Sequence, residues 1–310
     1  MVGRRMRRGD AQAAIAQLTE LLGERCSTSP SVLDLHARDE SSFPVTPPDA
    51  VVFPETTEEV AAVVRACAQH SVPVIAFGTG SSLEGHVLPV QGGIALDTSR
   101  MDRILRLSPE DMDVTVQPGV RRLQLEQRLA DEGLFFSVDP GADASIGGMA
   151  ATGASGTNTV RYGTMRENVL ALEVVLSGGE VIRTGTRARK SSAGYDLTRM
   201  FIGSEGTLGV ITELTLRLKP IPEAIAAATC SFPTVHAAVA TAIAIVQSGI
   251  PIARCELLDT LMVQAVNAHS QTGHPETPLL LFEFHGSPAS VKEDAEQTEE
   301  IAREHGGGVF

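Results

Sequence analysis

The sequence predicts an α+β fold in two parts, and three observations carry that prediction. A strand–helix–strand unit lies early in the chain, glycine clusters fall at the ends of predicted strands, and after Pro222 the pattern becomes a regular alternation of strand and helix. With 310 residues, 43% hydrophobic and 20% charged, the chain is long enough for two domains and too apolar for disorder. The expected organisation is an N-terminal helix and linker over 1–44, a first domain over 45–222, and an incomplete α/β domain over 223–310.

Residues Asp10 to Leu22 carry apolar positions at helical spacing (Ala14, Ile15, Leu18, Leu21, Leu22), and a Ser/Pro-rich stretch follows from Ser27. The run VVFP is a short strand, and Thr56 with Glu59 three residues later reads as a capping box opening a helix that ends near His70. Val72 to Phe77 has the β-branched character of a buried strand and leads into GTGSSLEGH. Further strands are expected in IALDTS, MDRILRL and DVTVQPG. A helix from Arg121 to Asp131, ending against Gly133, precedes a second glycine-rich segment, VDPGADASIGGMAATGASGTNTVRYG. A hairpin turned at Gly178-Gly179 follows, then a third cluster in FIGSEGTLG. Beyond Pro222 come strand AATCSF, helix TVHAAVATAIAIVQSG, strand IARCELL, helix LMVQAVNAH, strand PLLLFEFHG and a last helix with one weakly apolar face (Val291, Ala295, Ile301, Ala302).

Composition excludes several classes. No apolar run reaches the ~18 residues of a membrane-spanning helix, and a formal net charge of −13 argues against nucleic acid as a partner. Cys26, Cys67, Cys230 and Cys255 lie far apart without a C-x-x-C pair, so ordinary buried thiols are expected rather than a zinc site or a disulfide framework. Arg4, Arg5, Arg7 and Arg8 read as a solvated basic start, because no transit-peptide pattern continues past Asp10. The expected location is cytoplasmic, at most peripheral at a membrane.

The loop Gly78-Thr79-Gly80-Ser81-Ser82-Leu83-Glu84-Gly85 fails both common phosphate fingerprints. Asp97 stands where a dinucleotide fold places its acidic residue, but Pro89, Gly92 and Gly93 fill the interval and a strand begins by Ile94, which leaves no crossover helix. Gly80 and Gly85 have the P-loop spacing, yet His86 and Val87 replace the required Lys and Ser/Thr. What remains is a loop whose N–H groups, with the Ser81 and Ser82 hydroxyls, can converge on an anion, or a plain glycine turn. The small residues from Asp139 to Gly148, continuing through Gly153, Gly156 and Asn158 to Gly163, are too many for one turn and too small for a core. Two such stretches in one domain suit a long flat ligand lying against main chain.

GTGSSLEG, then VDPGADASIGGMAATGASGTNTVRYGTM, then FIGSEGTLGVIT resembles, in order and spacing, the FAD-contacting segments of the vanillyl-alcohol oxidase/p-cresol methylhydroxylase superfamily. Within it, PPDAVVFPETTEEV, YDLTRMFIGSEGTLG, ARCELLD and LFEFHG look most like cytochrome-linked D-lactate dehydrogenases, with glycolate oxidase flavin subunits next. The resemblance covers roughly Arg38 to Phe310 and implies a two-subdomain PCMH-type FAD-binding domain followed by an incomplete cap. It implies that Gly78, Thr79, Gly80, Ser81, Ser82, Leu83 and Gly85 cradle the FAD pyrophosphate. By the same resemblance, Pro140, Gly141, Ala142, Ser145, Gly147, Gly148, Gly153, Ser155 and Asn158 line the flavin and its ribityl chain. Arg161 and Tyr162 belong to this cofactor set, and Glu205 and Ile211 sit against the adenosine end. The loop around His86 does not look like a covalent attachment motif, so non-covalent FAD is expected.

The implied reaction is oxidation of a small 2-hydroxy acid, D-lactate to pyruvate first, with glycolate or 2-hydroxyglutarate as alternatives. The implied electron acceptor is a cytochrome c or quinone. Such chemistry needs a base, and a metal or cation for the carboxylate. Full-length relatives are expected to supply histidines and a divalent metal from G-H-x-G-D-G-N-x-H-like and G-E-H-G-like segments, and neither occurs in these 310 residues. His269, His274 and His285 offer no convincing metal spacing, so catalytic residues are unassigned and no metal ligands are expected. Gly306 to Phe310 reads as a helix-to-strand junction, which favours a truncated enzyme over a flavin-binding protein without turnover.

Overall fold

A computed structural model describes residues 9–188 and 190–310; Arg4, Arg5, Arg7 and Arg8 lie outside the described residues. Helix α1 (Ala11–Leu22) starts where Asp10 accepts the Ala13 N–H, and it buries Ala14, Leu18 and Leu22. Strand β1 (Cys26–Ser27), helix α2 (Pro30–Leu35), strand β2 (Ala50–Val52), helix α3 (Thr57–Gln69), strand β3 (Val74–Phe77) and strand β4 (Ile94–Asp97) follow. They form a four-stranded sheet of order β1-β2-β4-β3, parallel across β2, β4 and β3. Next come β5 (Ile104–Ser108), β6 (Asp113–Val116), α4 (Arg122–Ala130), β7 (Leu134–Phe135), α5 (Ile146–Thr152), α6 (Thr159–Tyr162), α7 (Met165–Asn168), β8 (Val169–Val175), β9 (Val181–Arg183), α8 (Leu197–Phe201) and β10 (Val210–Arg217). Five of these strands make a sheet of order β5-β6-β10-β8-β9, antiparallel throughout.

The chain divides into two compact units. The first takes the described residues up to Phe136, Pro140–Ala154 and Met165–Lys219, and the second takes Ser137–Asp139, Ser155–Thr164 and Pro220–Phe310. Segment 155–164, with α6, packs with the later residues. In the first unit α3 is buried on most sides (Val60, Ala61, Val63, Val64, Ala66, Cys67). It shares one core with α1, the parallel sheet, and Val175 and Val210 of the antiparallel sheet. After β11 (Lys219–Pro220), the second unit runs β12 (Ala224–Ser231), α9 (Val235–Gln247), β13 (Ile252–Leu258), α10 (Thr260–Ser270), β14 (Leu279–Gly286) and α11 (Pro288–Glu304). Its sheet has the order β12-β14-β13 and is antiparallel. Phe232, Phe282 and Phe284 anchor its core, with Val291 and Ala302 from the last helix and Ala295 and Ile301 beside them.

Three local expectations change for physical reasons. Thr56 caps α3 through the Glu59 N–H, but the reciprocal half of the box is missing. The Glu59 carboxylate instead takes both Arg25 guanidinium nitrogens at 2.5 Å and the Glu55 N–H, a charge-assisted fork stronger than the bond it replaces. The strand expected from Val72 begins at Val74, because the Val72 N–H closes the end of α3 on Cys67 and Pro73 has no N–H to give. The second glycine-rich segment contains a helix, α5, opened by Ser145 accepting the Gly148 N–H. Of the four free thiols, Cys67 and Cys230 are buried and Cys26 and Cys255 half-buried.

Asp97 has an occupation unrelated to a nucleotide. It is buried, and its carboxylate meets His36 Nε2 at 2.8 Å while His36 Nδ1 lies 2.8 Å from the Val32 carbonyl. The carbonyl accepts only, so Nδ1 carries a proton, and Nε2 must carry one too to bond a carboxylate; His36 is an imidazolium. Burial is the strongest single influence and pushes its pKa down. The Asp97 bond, the Val32 bond and the Asp97 charge together outweigh it, and the pKa ends above 6.5. The stabilisation is therefore complete below about pH 6.5 and is lost as pH rises through the raised folded value. We expect His36→Ala, which removes the cation and ring donor beside the buried Asp97 carboxylate and leaves it only the Ser99 N–H, to cost about 3 kcal/mol in urea unfolding at pH 6. The gap to the parent should narrow above the folded pKa, and a pH-independent gap would exclude the ion pair as its source.

Candidate functional site

The Gly78–Gly85 loop leaves the C-terminal end of β3 and returns at Gly85, whose N–H donates to Asp39 Oδ2 at 2.9 Å. Glu40 N–H donates to the Ser82 carbonyl, so the segment before the first domain pins the loop from outside. The Ser41 bonds and the Gly85 N–H hold the Asp39 carboxyl below its ordinary range against burial, the largest opposing influence. Between these anchors the backbone N–H groups of Thr79, Gly80, Ser81 and Ser82 have no acceptor among the described residues, while the Leu83 N–H is directed to the Glu84 carboxylate. Four consecutive donors in a partly buried loop suit an anion with several oxygens. The Ser82 hydroxyl is not free to join them as expected, because it bonds Glu84 and lies 3.4 Å from His86 Nδ1. The Ser82 bond holds the Glu84 carboxyl low. Ser81 Oγ lies 3.1 Å from Thr79 Oγ1, and Leu83 is exposed.

Helix α5 stands directly behind this loop. A Cβ at Gly78 would lie 2.4 Å from Ser145 Oγ, so the two segments meet only because Gly78 has none. The first N–H groups of α5 are already spent: Ile146 on the Val120 carbonyl, Gly147 on Pro118 and Gly148 on Ser145 Oγ. The helix thus supports the loop and does not itself present donors. Gly147 is needed for packing, since a Cβ there would strike Pro118 at 2.4 Å. At the other end Gly153 closes α5 in a left-handed cap, and the third glycine cluster docks there through Gly203 N–H to Ala150 and Glu205 N–H to Ala151. Glu205, at φ 50°, directs its carboxylate to the same place as Glu84 and His86, their ligand atoms within 4.8 Å of one another. That is the one three-donor group of this kind among the described residues, and the sequence did not announce it because Glu205 is remote from the other two.

The remaining expected residues are scattered. Asp143 ties the Pro140–Ala142 turn to α4, taking Arg121 Nε at 2.8 Å and the Leu123 N–H at 2.9 Å, while Gly141 is exposed with open space around it. Ile211 is buried in β10, in register with Val174. Ser155, Asn158, Arg161 and Tyr162 belong to the second unit, where the last three join a polar network that the sequence reading missed. Arg254 donates to Asn158 Oδ1 (3.1 Å), Glu283 (3.3 Å) and Asp139 (3.3 Å). His285, buried, sits between Glu283 at 2.6 Å and the Tyr162 hydroxyl at 2.8 Å, and Arg161 donates to the His285 and Pro251 carbonyls. Burial, the main influence, raises the Tyr162 pKa. The available signal was Glu283 and His285 two apart on one strand, hence on one face.

With this geometry in hand, the comparisons carry weight. The sequence profile of the FAD binding domain matches residues 48–185, and that of the FAD linked oxidases, C-terminal domain, matches 221–310. The chain belongs to the FAD-linked oxidoreductases of the vanillyl-alcohol oxidase/p-cresol methylhydroxylase superfamily. It is 52% identical to a probable mitochondrial D-lactate dehydrogenase of Danio rerio, over 93% of this chain and 58% of that protein. It is 48% identical to a mitochondrial D-lactate dehydrogenase [cytochrome] of Arabidopsis thaliana, over 96% and 53%, and 36% identical to glycolate oxidase subunit GlcD of Bacillus subtilis, over 83% and 55%. The chain thus spans little more than half the length of these relatives. Its fold matches alkyldihydroxyacetonephosphate synthase at a TM-score of 0.84 and 21% identity, over 97% of this chain and 60% of that one. It matches p-cresol methylhydroxylase at 0.76 and 20%, over 96% and 65%. Among the described residues no helix is long and apolar enough to cross a membrane.

The Gly78–Ser145 approach makes a direct test. Gly78→Ala should lose about 1–3 kcal/mol in urea unfolding, the usual cost of overpacking, and Gly78→Ala with Ser145→Gly should recover most of it. No recovery in the double variant would show that the cost arises elsewhere.

Proposed function

We propose that this chain binds FAD non-covalently and serves the oxidation of a D-2-hydroxy acid, D-lactate to pyruvate before glycolate or 2-hydroxyglutarate. The run of four N–H groups from Thr79 to Ser82 without protein acceptors carries the cofactor reading. A diphosphate presents several anionic oxygens to such a run, each charge-assisted bond contributes about 1.5–3 kcal/mol, and no lysine is then required. Gly78, Gly80 and Gly85 keep the loop thin enough for close approach, and Ser145, Gly147, Gly148 and Gly153 place α5 as its rigid backing. Glu205 extends the same cleft. For Pro140, Gly141, Ala142, Ser155, Asn158, Arg161, Tyr162 and Ile211 the cofactor assignment rests on resemblance. When bound, the flavin supplies a two-electron acceptor for the substrate hydride.

The substrate reading rests on the printed names of the relatives. The names D-lactate dehydrogenase [cytochrome] also carry the proposal of a cytochrome-type acceptor, with a quinone as the other choice. Several of these relatives are named mitochondrial, whereas a cytoplasmic or peripheral location for this chain is supported by the sequence reading alone. No base is assigned within these residues: both ring nitrogens of His36 and of His285 are engaged, and His86 at the candidate site has its Nδ1 3.4 Å from the Ser82 hydroxyl. The divalent metal expected in full-length relatives stays a proposal about them.

The purified chain, reconstituted with FAD, should show absorbance bands near about 370 and 450 nm. Acid precipitation should release the colour to the supernatant, as non-covalent binding requires, and unfolding stability should rise by about 2.7 kcal/mol at a hundredfold excess of FAD over Kd. Anaerobic D-lactate should leave the flavin oxidised if these residues hold the cofactor without the base, whereas bleaching would place a base among them. A chain that neither binds nor is stabilised by FAD sinks the proposal.

A further inference from the structure

Residues 37–46 form a strap along the Gly78–Gly85 loop, and the two spring from neighbouring strand ends. Phe77, the last residue of β3, lies in register with Asp97 of β4. The loop leaves from Phe77. The foot of the strap is His36, buried on Asp97 at 2.8 Å with its ring 4.5 Å from that of Phe77. The strap closes on itself where the Thr46 N–H donates to the carbonyl of the buried Ala37 at 2.8 Å. Between these points it meets the returning half of the loop at three places. The Glu40 N–H donates to the Ser82 carbonyl at 3.1 Å, the Gly85 N–H donates to Asp39 Oδ2 at 2.9 Å, and the Phe43 ring lies where a Cβ on Gly85 would come within 2.5 Å of it. In a planar trans peptide the C=O and N–H point opposite ways, so the strap fixes more than it touches. Holding the Ser82 carbonyl on Glu40 turns the Leu83 N–H away from the strap, to the Glu84 carboxylate. Asp39 uses both oxygens in this clasp, Oδ1 on the Ser41 N–H at 3.0 Å and Oδ2 on Gly85. All these residues lie in the first unit, and the strap precedes residue 48, where the matched FAD binding domain begins.

We infer that Asp39 is a positioning residue for the anion loop, holding the Thr79–Ser82 run in its binding geometry from outside the loop. The identity of the anion, a diphosphate, rests on the flavin reading above. Ordering a loop that contains Gly78, Gly80 and Gly85 costs conformational entropy, and a loop clasped beforehand is spared that cost when the ligand arrives. The charge of Asp39 works in the other direction. A carboxylate near an anion repels it and has no donor to offer it, so if Asp39 acted through its charge alone, neutralising it would tighten binding. A clasp has the opposite consequence. Asn presents one acceptor oxygen where Asp39 serves two N–H groups with two, so either the Ser41 bend or the Gly85 end of the loop is released and binding weakens. The two roles of the same carboxylate therefore predict changes of opposite sign.

Calorimetric titration of the full chain with FAD and, separately, with inorganic pyrophosphate tests this, pyrophosphate isolating the loop from whatever holds the rest of the cofactor. Asp39→Asn should bind both ligands about tenfold more weakly than the parent. Phe43→Ala, which leaves the charge untouched, should bind them about threefold more weakly. The far-ultraviolet circular dichroism of each variant should match the parent. Equal or tighter binding by Asp39→Asn, or a loss of urea stability with parental affinity kept, would overturn the positioning role and leave the flavin reading standing. A parent that takes pyrophosphate but not FAD removes the flavin reading, and the strap is then judged on pyrophosphate. A parent that takes neither sinks both. If Asp39→Asn fails to fold, Phe43→Ala, at an exposed position, decides the matter: parental affinity there overturns the strap.

Discussion

Gly78 has no Cβ, and the first unit is built around that fact. A Cβ there would come within 2.4 Å of Ser145 Oγ and would push the loop off the helix behind it. Because the two meet, Ser145 can cap α5 on one side and back the loop on the other. The cap also decides what α5 contributes. With its leading N–H groups taken by Val120, Pro118 and Ser145, the helix gives up its own terminus and works as a support. Donors for an anion then come from the loop, where the N–H groups of Thr79 to Ser82 have no protein acceptor among the described residues. The third glycine cluster hangs from the far end of the same short helix, through Gly203 on Ala150 and Glu205 on Ala151. One seven-residue helix thus organises three stretches that are distant in sequence.

Much of the fold was legible because local signals agreed with one another. Thr56, the apolar spacing to Cys67 and the run Val74–Phe77 fixed the β2-α3-β3 unit, and Gly178-Gly179 placed the β8–β9 hairpin. Helix α5 was not legible. IGGMAAT holds two glycines, each costing about 1 kcal/mol in a helix interior, and the pattern reads as loop. What overrides propensity is contact with Pro118, which no local window displays. Segment 155–164 packs with the second unit for reasons that are equally non-local. Sequence continuity put it with the first domain, yet Asp139 receives the Asn158 N–H at 3.0 Å and the Thr157 hydroxyl at 2.9 Å, Gly156 lacks the Cβ that would strike Asp139, and Arg254 spans both sides.

The network around Arg254 shows why side-chain chemistry resists reading from sequence. Arg254, Glu283 and His285 looked like ordinary strand residues, and His285 was weighed only as a metal ligand or a satisfied histidine. The structure makes it satisfied, with one ring nitrogen on Glu283 and the other on the Tyr162 hydroxyl. Buried polar groups so connected specify one arrangement, because removing any member leaves another unpaired at a cost of about 1–3 kcal/mol. Arg161 and Tyr162 are thereby committed to the second unit's sheet.

The same bookkeeping of donors bears on function. A cofactor site is recognised by polar groups left without protein partners, and a structural network by groups that have them all. The N–H groups from Thr79 to Ser82 are of the first kind, and the side chains of Arg254 and His285 are of the second. A hydroxy-acid oxidation needs both a held flavin and a free base. These residues offer the proposed flavin a run of free donors, whereas His36 and His285 are hydrogen-bonded at both ring nitrogens and His86, beside Glu84 and Glu205, has its Nδ1 3.4 Å from the Ser82 hydroxyl. The division follows the comparison with the curated relatives, which share more than nine-tenths of this chain at about half identity yet are nearly twice as long. The free N–H groups from Thr79 to Ser82 are therefore the feature of these residues that bears on the cofactor half of the proposed chemistry.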